Sequence, residues 1–135
     1  MLFTAMLIVF AGYLYRRIRK RRLLRRTVLA ELKMIREQYD ENEDKLQLVQ
    51  ALSTLMRRAS ISFYQRKDSA GLTGERWLQH LDSTAQRREF EHGNGKILAN
   101  APYLPASSPI DTDCDDLLAL CHEWLNNQPV KGLPH

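Results

Sequence analysis

A chain of 135 residues, with 44% hydrophobic and 27% charged side chains, is long enough for one modest domain with its own core. Its net charge of +4 conceals a split, because eight of the eleven residues from Arg16 to Arg26 are basic and the rest of the chain holds 12 Lys/Arg against 16 Asp/Glu. The split excludes a generally basic nucleic-acid-binding surface. The two cysteines, Cys114 and Cys121, are seven apart on a helical stretch, about 10 Å along its axis, which excludes a disulfide between them.

The N-terminal segment MLFTAMLIVFAGYLY carries no charge, and only Thr4 and Gly12 interrupt its apolar and aromatic side chains. As a helix, residues 1–18 span about 27 Å, against roughly 30 Å for a bilayer core. Arg16 and Arg17 can snorkel to make up the difference, and Tyr13 and Tyr15 suit an interface layer. No basic residue precedes the apolar run, and arginines fill the place of a cleavage site, so the pattern predicts an uncleaved transmembrane anchor over 1–18 rather than a signal peptide. Arg16, Arg17, Arg19, Lys20, Arg21, Arg22, Arg25 and Arg26 then act as topology determinants. They would hold the C-terminal domain in the cytoplasm and touch anionic headgroups of the lipid bilayer. The block can also dock an acidic partner. A nucleic-acid role is disfavoured because no aromatic residue interleaves for base stacking.

Residues 19–43 read as a basic juxtamembrane helical stalk, with Leu24, Val28, Leu32 and Ile35 at helical spacing. DENED (40–44) breaks the pattern. Lys45–Tyr64 then predicts a second helix with a stripe of Leu48, Leu52, Leu55, Ala59 and Phe63, giving an antiparallel helical hairpin. Arg57 and Arg58 fall beside this stripe, either solvated with their stems packed down or engaged in a buried ion pair or partner contact.

QRKDSAG (65–71) is a loop. LTGERWLQHLDS predicts a short helix capped by Thr73, with Leu72 and Trp77 placed for a hydrophobic staple and Trp77, Leu78 and Leu81 on one face. Gly74 suits close packing, and no GxxxxGK[ST] surrounds it to make a phosphate loop. HGNG is a turn and KILANA one or two helical turns. Pro102, Pro105 and Pro109 forbid a long helix there, and Tyr103 is expected to pack against the domain. Residues 111–128 form a last helix with Leu117, Leu118, Cys121, Trp124 and Leu125 on its face, followed by a flexible tail over 129–135. The expected fold is all-α: one transmembrane helix, the stalk, and a helical domain over 44–128, with four or five helices behind the anchor.

Chemistry-bearing patterns are thin. Asp111, Asp113 and Asp115 imitate the start of a calcium loop, but Asp116 stands where glycine is needed and His122 where glutamate is needed. The four histidines lack metal-ligand spacing. Cys121 and His122 are adjacent, hence about 100° apart on a helix, and Cys121 reads as a core cysteine rather than a nucleophile with His122 as its base. The expectation is a non-enzymatic protein with no catalytic, metal or cofactor residues.

Five stretches taken together, LLRRTVLAEL, LVQALSTLMRRASISFY, AGLTGERWLQHLD, ILANAPYLP and LLALCHEWL, resemble the DUF4381 family of small bacterial membrane proteins. The matching residues are Arg57, Arg58, Leu72, Thr73, Gly74, Trp77, Leu81, Asp82, Pro102, Tyr103 and Pro105. The resemblance implies a single-pass protein of the bacterial inner membrane, N-terminus outside. It also implies an accessory or scaffold role beside a MoxR-type AAA+ ATPase and von Willebrand factor A (VWA) domain proteins. The alternative is a structural subunit of a larger inner-membrane transport or envelope complex. The resemblance supplies no catalytic residues.

Overall fold

The computed structural model describes residues 2–64 and 74–128. In chain order these form α1 (Leu2–Asn42), α2 (Lys45–Phe63), α3 (Gly74–Ser83), two short 3-10 helices over Asn94–Ala99 and Ala101–Tyr103, and α4 (Cys114–Asn126). The all-α expectation stands.

The turn between α1 and α2 is built from short polar side chains. Glu43 takes a left-handed conformation at φ 52° and its N–H returns to the Tyr39 carbonyl at 2.8 Å, closing α1. The Asn42 side-chain oxygen accepts the Asp44 N–H at 2.9 Å, and Asp44 caps α2 by accepting the Gln47 N–H at 3.1 Å. α2 therefore doubles back along the second half of α1. Val28 and Leu32 of α1 are buried against it, with Leu24, Leu29, Ile35 and Tyr39 packed at the margin. The expected stalk thus contributes Val28 and Leu32 to the core and packs along the domain through its second half.

α2 is the central element. Leu48, Val49, Leu52, Leu55, Met56, Ala59 and Phe63 are all buried, meeting α1 on one side and α4 and the 3-10 helices on others. Its buried Ser53 hydroxyl donates to the Leu98 carbonyl at 2.7 Å, fixing the first 3-10 helix to it. Trp77 and Leu81 of α3 and Leu117, Cys121 and Trp124 of α4 complete the core. The Trp124 indole N–H reaches the Thr84 hydroxyl at 2.9 Å and the Leu81 carbonyl at 3.2 Å. Its ring meets Phe63 edge-on at 6.4 Å.

Two carboxylates organise the irregular stretch after α3. Asp82 accepts the N–H groups of Phe90 and Glu91, each at 3.0 Å, one on each oxygen. Asp116 on α4 accepts Arg87 at 2.6 Å and also the Asn94 amide. Glycine is needed inside this turn, because a Cβ on Gly93 would lie 2.7 Å from the Glu89 backbone oxygen and one on Gly95 2.7 Å from the Phe90 ring. Among the described residues nothing lies within 4 Å of a Cβ at Gly74, where close packing was expected, and its φ of +56° explains the residue instead.

The transmembrane anchor over 1–18 is corrected by the structure. Among the described residues no helix is long and apolar enough to cross a membrane. The reason lies in α1 itself: its uncharged run ends at Tyr15, giving Leu2–Tyr15 about 21 Å of rise against roughly 30 Å of hydrocarbon, and Arg16, Arg17 and Arg19 follow at once. The single-pass inner-membrane topology with the N-terminus outside falls with the span. So do the lipid-bilayer partnership and the alternative of an inner-membrane complex subunit.

Two outcomes test these carboxylates. Asp82→Ala removes both acceptors of the Phe90 and Glu91 N–H groups and should lower unfolding free energy in urea titrations by about 2 kcal/mol. Arg87 first, then Asn94, hold the Asp116 carboxyl below its ordinary range. Its folded value is depressed, so its stabilisation is present above the unfolded carboxylate value and fades as pH falls through the folded one. Asp116→Asn should therefore unfold at lower urea than the parent at pH 7, and the gap should close as acidification carries the pH below the ordinary carboxylate range.

Candidate docking site on the first helix

α1 leaves the body as one unbroken helix. Its exit is set by a polar knot at the end of α4. Arg25 donates to the Gln128 carbonyl, and the Tyr64 hydroxyl donates to the Gln128 side-chain oxygen. The Gln128 amide nitrogen donates to the Trp124 carbonyl at 2.8 Å and the Thr84 carbonyl at 3.5 Å. N-terminal to Arg25 the helix emerges past the end of α2 as an arm. Residues 2–16 are all exposed, with Leu2 at 83%, Phe3 at 85% and Val9 at 73%. Met6, Leu7, Ile8, Phe10, Tyr13 and Tyr15 are also exposed, so the apolar surface runs around the whole helix rather than along one stripe.

Below the arm sits the cationic collar. Arg16, Arg19, Lys20, Arg22 and Arg26 are exposed and Arg17 and Arg25 half-buried; the side chain of Arg21 lies outside the described set. Tyr13, Arg16, Arg17, Lys20, Leu24 and Ser62 line an open cavity of ≈ 780 Å³ between the arm's base and the end of α2. A second groove of ≈ 450 Å³ lies between α1 and α4, floored by Leu29, Leu32, Leu118 and Ala119 and edged by Lys33 and His122. An apolar rod above a ring of cations can insert into an apolar cleft and pair with acidic groups at its mouth.

The remaining sequence-selected residues fall elsewhere. Arg57 lies with its guanidinium carbon 4.1 Å from the centroid of the Trp77 ring, while Arg58 pairs with Glu31 and ties α2 to α1 at the surface. Trp77 and Leu81 are core, Asp82 is the turn clamp described above, and Gly74 opens α3. Leu72 and Thr73, with the staple and cap expected there, lie outside the described residues. Pro102 and Pro105 are exposed, and Tyr103, expected to pack inward, is 79% exposed. The sequence reading missed Gln128. Its only signal is a place four residues after Trp124, just beyond the end of α4.

No group of three or more His, Cys, Asp or Glu side chains that could hold a metal ion occurs among the described residues. Cys121 is fully buried, and burial pushes its thiol up to about 12, while His122 is exposed on the next position of the helix.

A family model described as "Domain of unknown function (DUF4381)" matches residues 1–127. No curated protein and no solved structure matches the chain. The expected partnership with a MoxR-type AAA+ ATPase and VWA-domain proteins is corrected accordingly. The family description names no partner, and no curated relative supplies one.

Cys121 gives a test of this part of the site. At pH 8 the folded protein should leave Cys121 unalkylated by iodoacetamide over hours, and urea should expose it, as peptide mass spectrometry would show.

Proposed function

Because the chain belongs to the DUF4381 family, whose description assigns no activity, we propose a function from its geometry: it is a non-catalytic protein-binding module that docks through the N-terminal arm of α1. The observation that carries this is the exposure of the apolar arm on all sides, on a helix whose other half is locked into the core by Val28 and Leu32. A free helix of this length is marginal in water, so the arm gains most when a partner covers it. The partner is a protein with an apolar cleft lined by helices and a rim of acidic side chains to meet Arg16, Arg19 and Lys20. Those rim pairs speed and orient association, and they weaken with salt. Protonated, buried Cys121 and the purely structural partners of Asp82 and Asp116 support the non-catalytic reading.

The test places a photo-crosslinking amino acid at Phe10 of the full chain in cells. A discrete protein adduct is expected, lost when Ile8→Asp is added and reduced as salt is raised in the purified pair. Ile8 is exposed, so the substitution should leave the circular dichroism of the body unchanged. Absence of a protein adduct, or flotation of the purified chain with acidic phospholipid vesicles in place of one, would overturn the reading.

A further inference from the structure

The second half of α1 has two sides. Val28 and Leu32 fix one of them against α2. On the opposite side Leu23, Thr27, Ala30 and Met34 follow one another at steps of four, three and four residues, the spacing of a coiled-coil seam. All four are exposed. Beyond the arm only four large apolar side chains are exposed among the described residues, and two of them, Leu23 at 52% and Met34 at 66%, lie on this one stripe. A stripe of that kind differs from hydrophobic residues scattered singly over a surface.

The stripe runs into opposite charge at its two ends. Arg16 and Lys20 continue it towards the arm, and Glu37 and Glu41 continue it towards the turn, all four exposed. Each end also has its own hollow. The ≈ 780 Å³ cavity at the base of the arm is lined by Arg16, Arg17 and Lys20. Further along α1, an open groove of ≈ 370 Å³ has Glu31, Glu37 and Glu41 around Met34 and Ile35. Arg16 in the first and Met34 in the second are about five full helical turns apart, so the two hollows lie on one flank of the helix. A two-fold axis perpendicular to α1 brings that flank against the same flank of a second copy, with the ends exchanged.

The register is specific. When Leu23 of one antiparallel copy faces Met34 of the other, Thr27 faces Ala30, Lys20 faces Glu37 and Arg16 faces Glu41. Every contact occurs twice by symmetry, and the small pair at the centre lets the helices approach closely. A parallel pair would instead set two blocks of eight cations side by side.

We propose that the outer face of α1 is the two-fold interface of a homodimer, with two copies packed antiparallel along the Leu23–Met34 stripe and the cationic hollow of each over the acidic groove of the other. Residues before Arg16 run past the other copy's turn at Glu43 and Asp44, so the apolar arms project uncovered from opposite ends. Arg16 and Lys20 are common to this contact and to docking by the arm; the apolar surfaces are separate, and the dimer does not depend on what the arm binds.

Sedimentation velocity of the full chain at low salt, over micromolar to millimolar concentrations, should show a dimer that weakens as salt is raised. Glu37→Lys with Glu41→Lys, or Arg16→Glu with Lys20→Glu, should each raise the dimer Kd at least tenfold, and the chain carrying all four changes should regain the parent affinity. Circular dichroism should stay unchanged, because all four side chains are exposed. Ile8→Asp, which disables the arm, should leave the dimer intact. Under mild oxidation a mixture of Leu23→Cys and Met34→Cys chains should form a disulfide-linked pair, and Leu23→Cys alone should not, since its two copies would lie about 16 Å apart along the seam. Cys114 and Cys121 are buried and do not compete. The proposal is overturned by a monomer throughout, by a dimer that Ile8→Asp abolishes, by no recovery in the four-fold charge exchange, or by a disulfide between two Leu23→Cys chains.

Discussion

The burial of α2 is the constraint on which the rest of the molecule depends. Leu48, Leu52, Leu55, Ala59 and Phe63 follow one another at helical spacing, and Val49 and Met56 widen the stripe until most of the helix is covered. A helix buried that widely needs neighbours on several sides, and each other element supplies one. The second half of α1, the face of α4 and the two 3-10 helices all lie on it. The apolar contacts supply the gross stabilisation, but they would tolerate sliding. Register comes from single polar contacts at the seams: Ser53 to Leu98, Asp82 to the 90–91 backbone, and Gln128 to Arg25, Tyr64 and Thr84.

These polar contacts share a design. In all but the Tyr64–Gln128 bond, which joins two side chains, a side chain reaches a backbone group that has no partner in regular secondary structure, and thereby removes the cost of burying it. The irregular stretch between α3 and α4 would otherwise be a poor wall for a core, with neither helix nor sheet ladder to satisfy its amides. Asp82 substitutes for that ladder at Phe90 and Glu91, Asp116 ties the stretch to α4 through the Arg87 and Asn94 side chains, and Gly93 and Gly95 let the chain pass within contact of itself. The same economy makes Tyr103 conspicuous. Its segment is held to α2 by the buried Ala101 and the Gln50 side chain, and the ring held there is exposed rather than used by the core.

Helices were legible where periodicity and capping agreed. Lys45–Tyr64 was expected and Lys45–Phe63 found, because Asp44 caps it and the apolar stripe runs unbroken. The last helix begins at Cys114 rather than residue 111, since Asp113 serves as its cap by accepting the Asp116 N–H. Tyr103 was misread for a definable reason: flanking prolines fix the backbone but carry no information about which way the next side chain faces. Gly74 was misread because packing and positive φ both select glycine. The membrane span failed on a shortfall the sequence already showed: snorkelling by Arg16 and Arg17 was expected to close it, and an uncharged run that ends at Tyr15 is too short for that. Of the candidate site, the apolar run and the basic block could be read directly. The Gln128 knot that fixes where the arm leaves the body could not, because it joins residues 103 positions apart.

The continuity of α1 ties the orientation of the arm to the number of residues below it. Each helical residue turns the chain by about 100° and advances it 1.5 Å. Between Tyr15 and Val28 there is no joint to absorb a change of length, only helix. A single-residue insertion in the collar would therefore swing the face presented by Phe3, Leu7 and Phe10 by more than a quarter turn relative to the body, while seven residues would bring it nearly back into phase. The collar is a phase-setting spacer as well as a ring of charge, and the spatial relation between the arm and the body is encoded in its residue count.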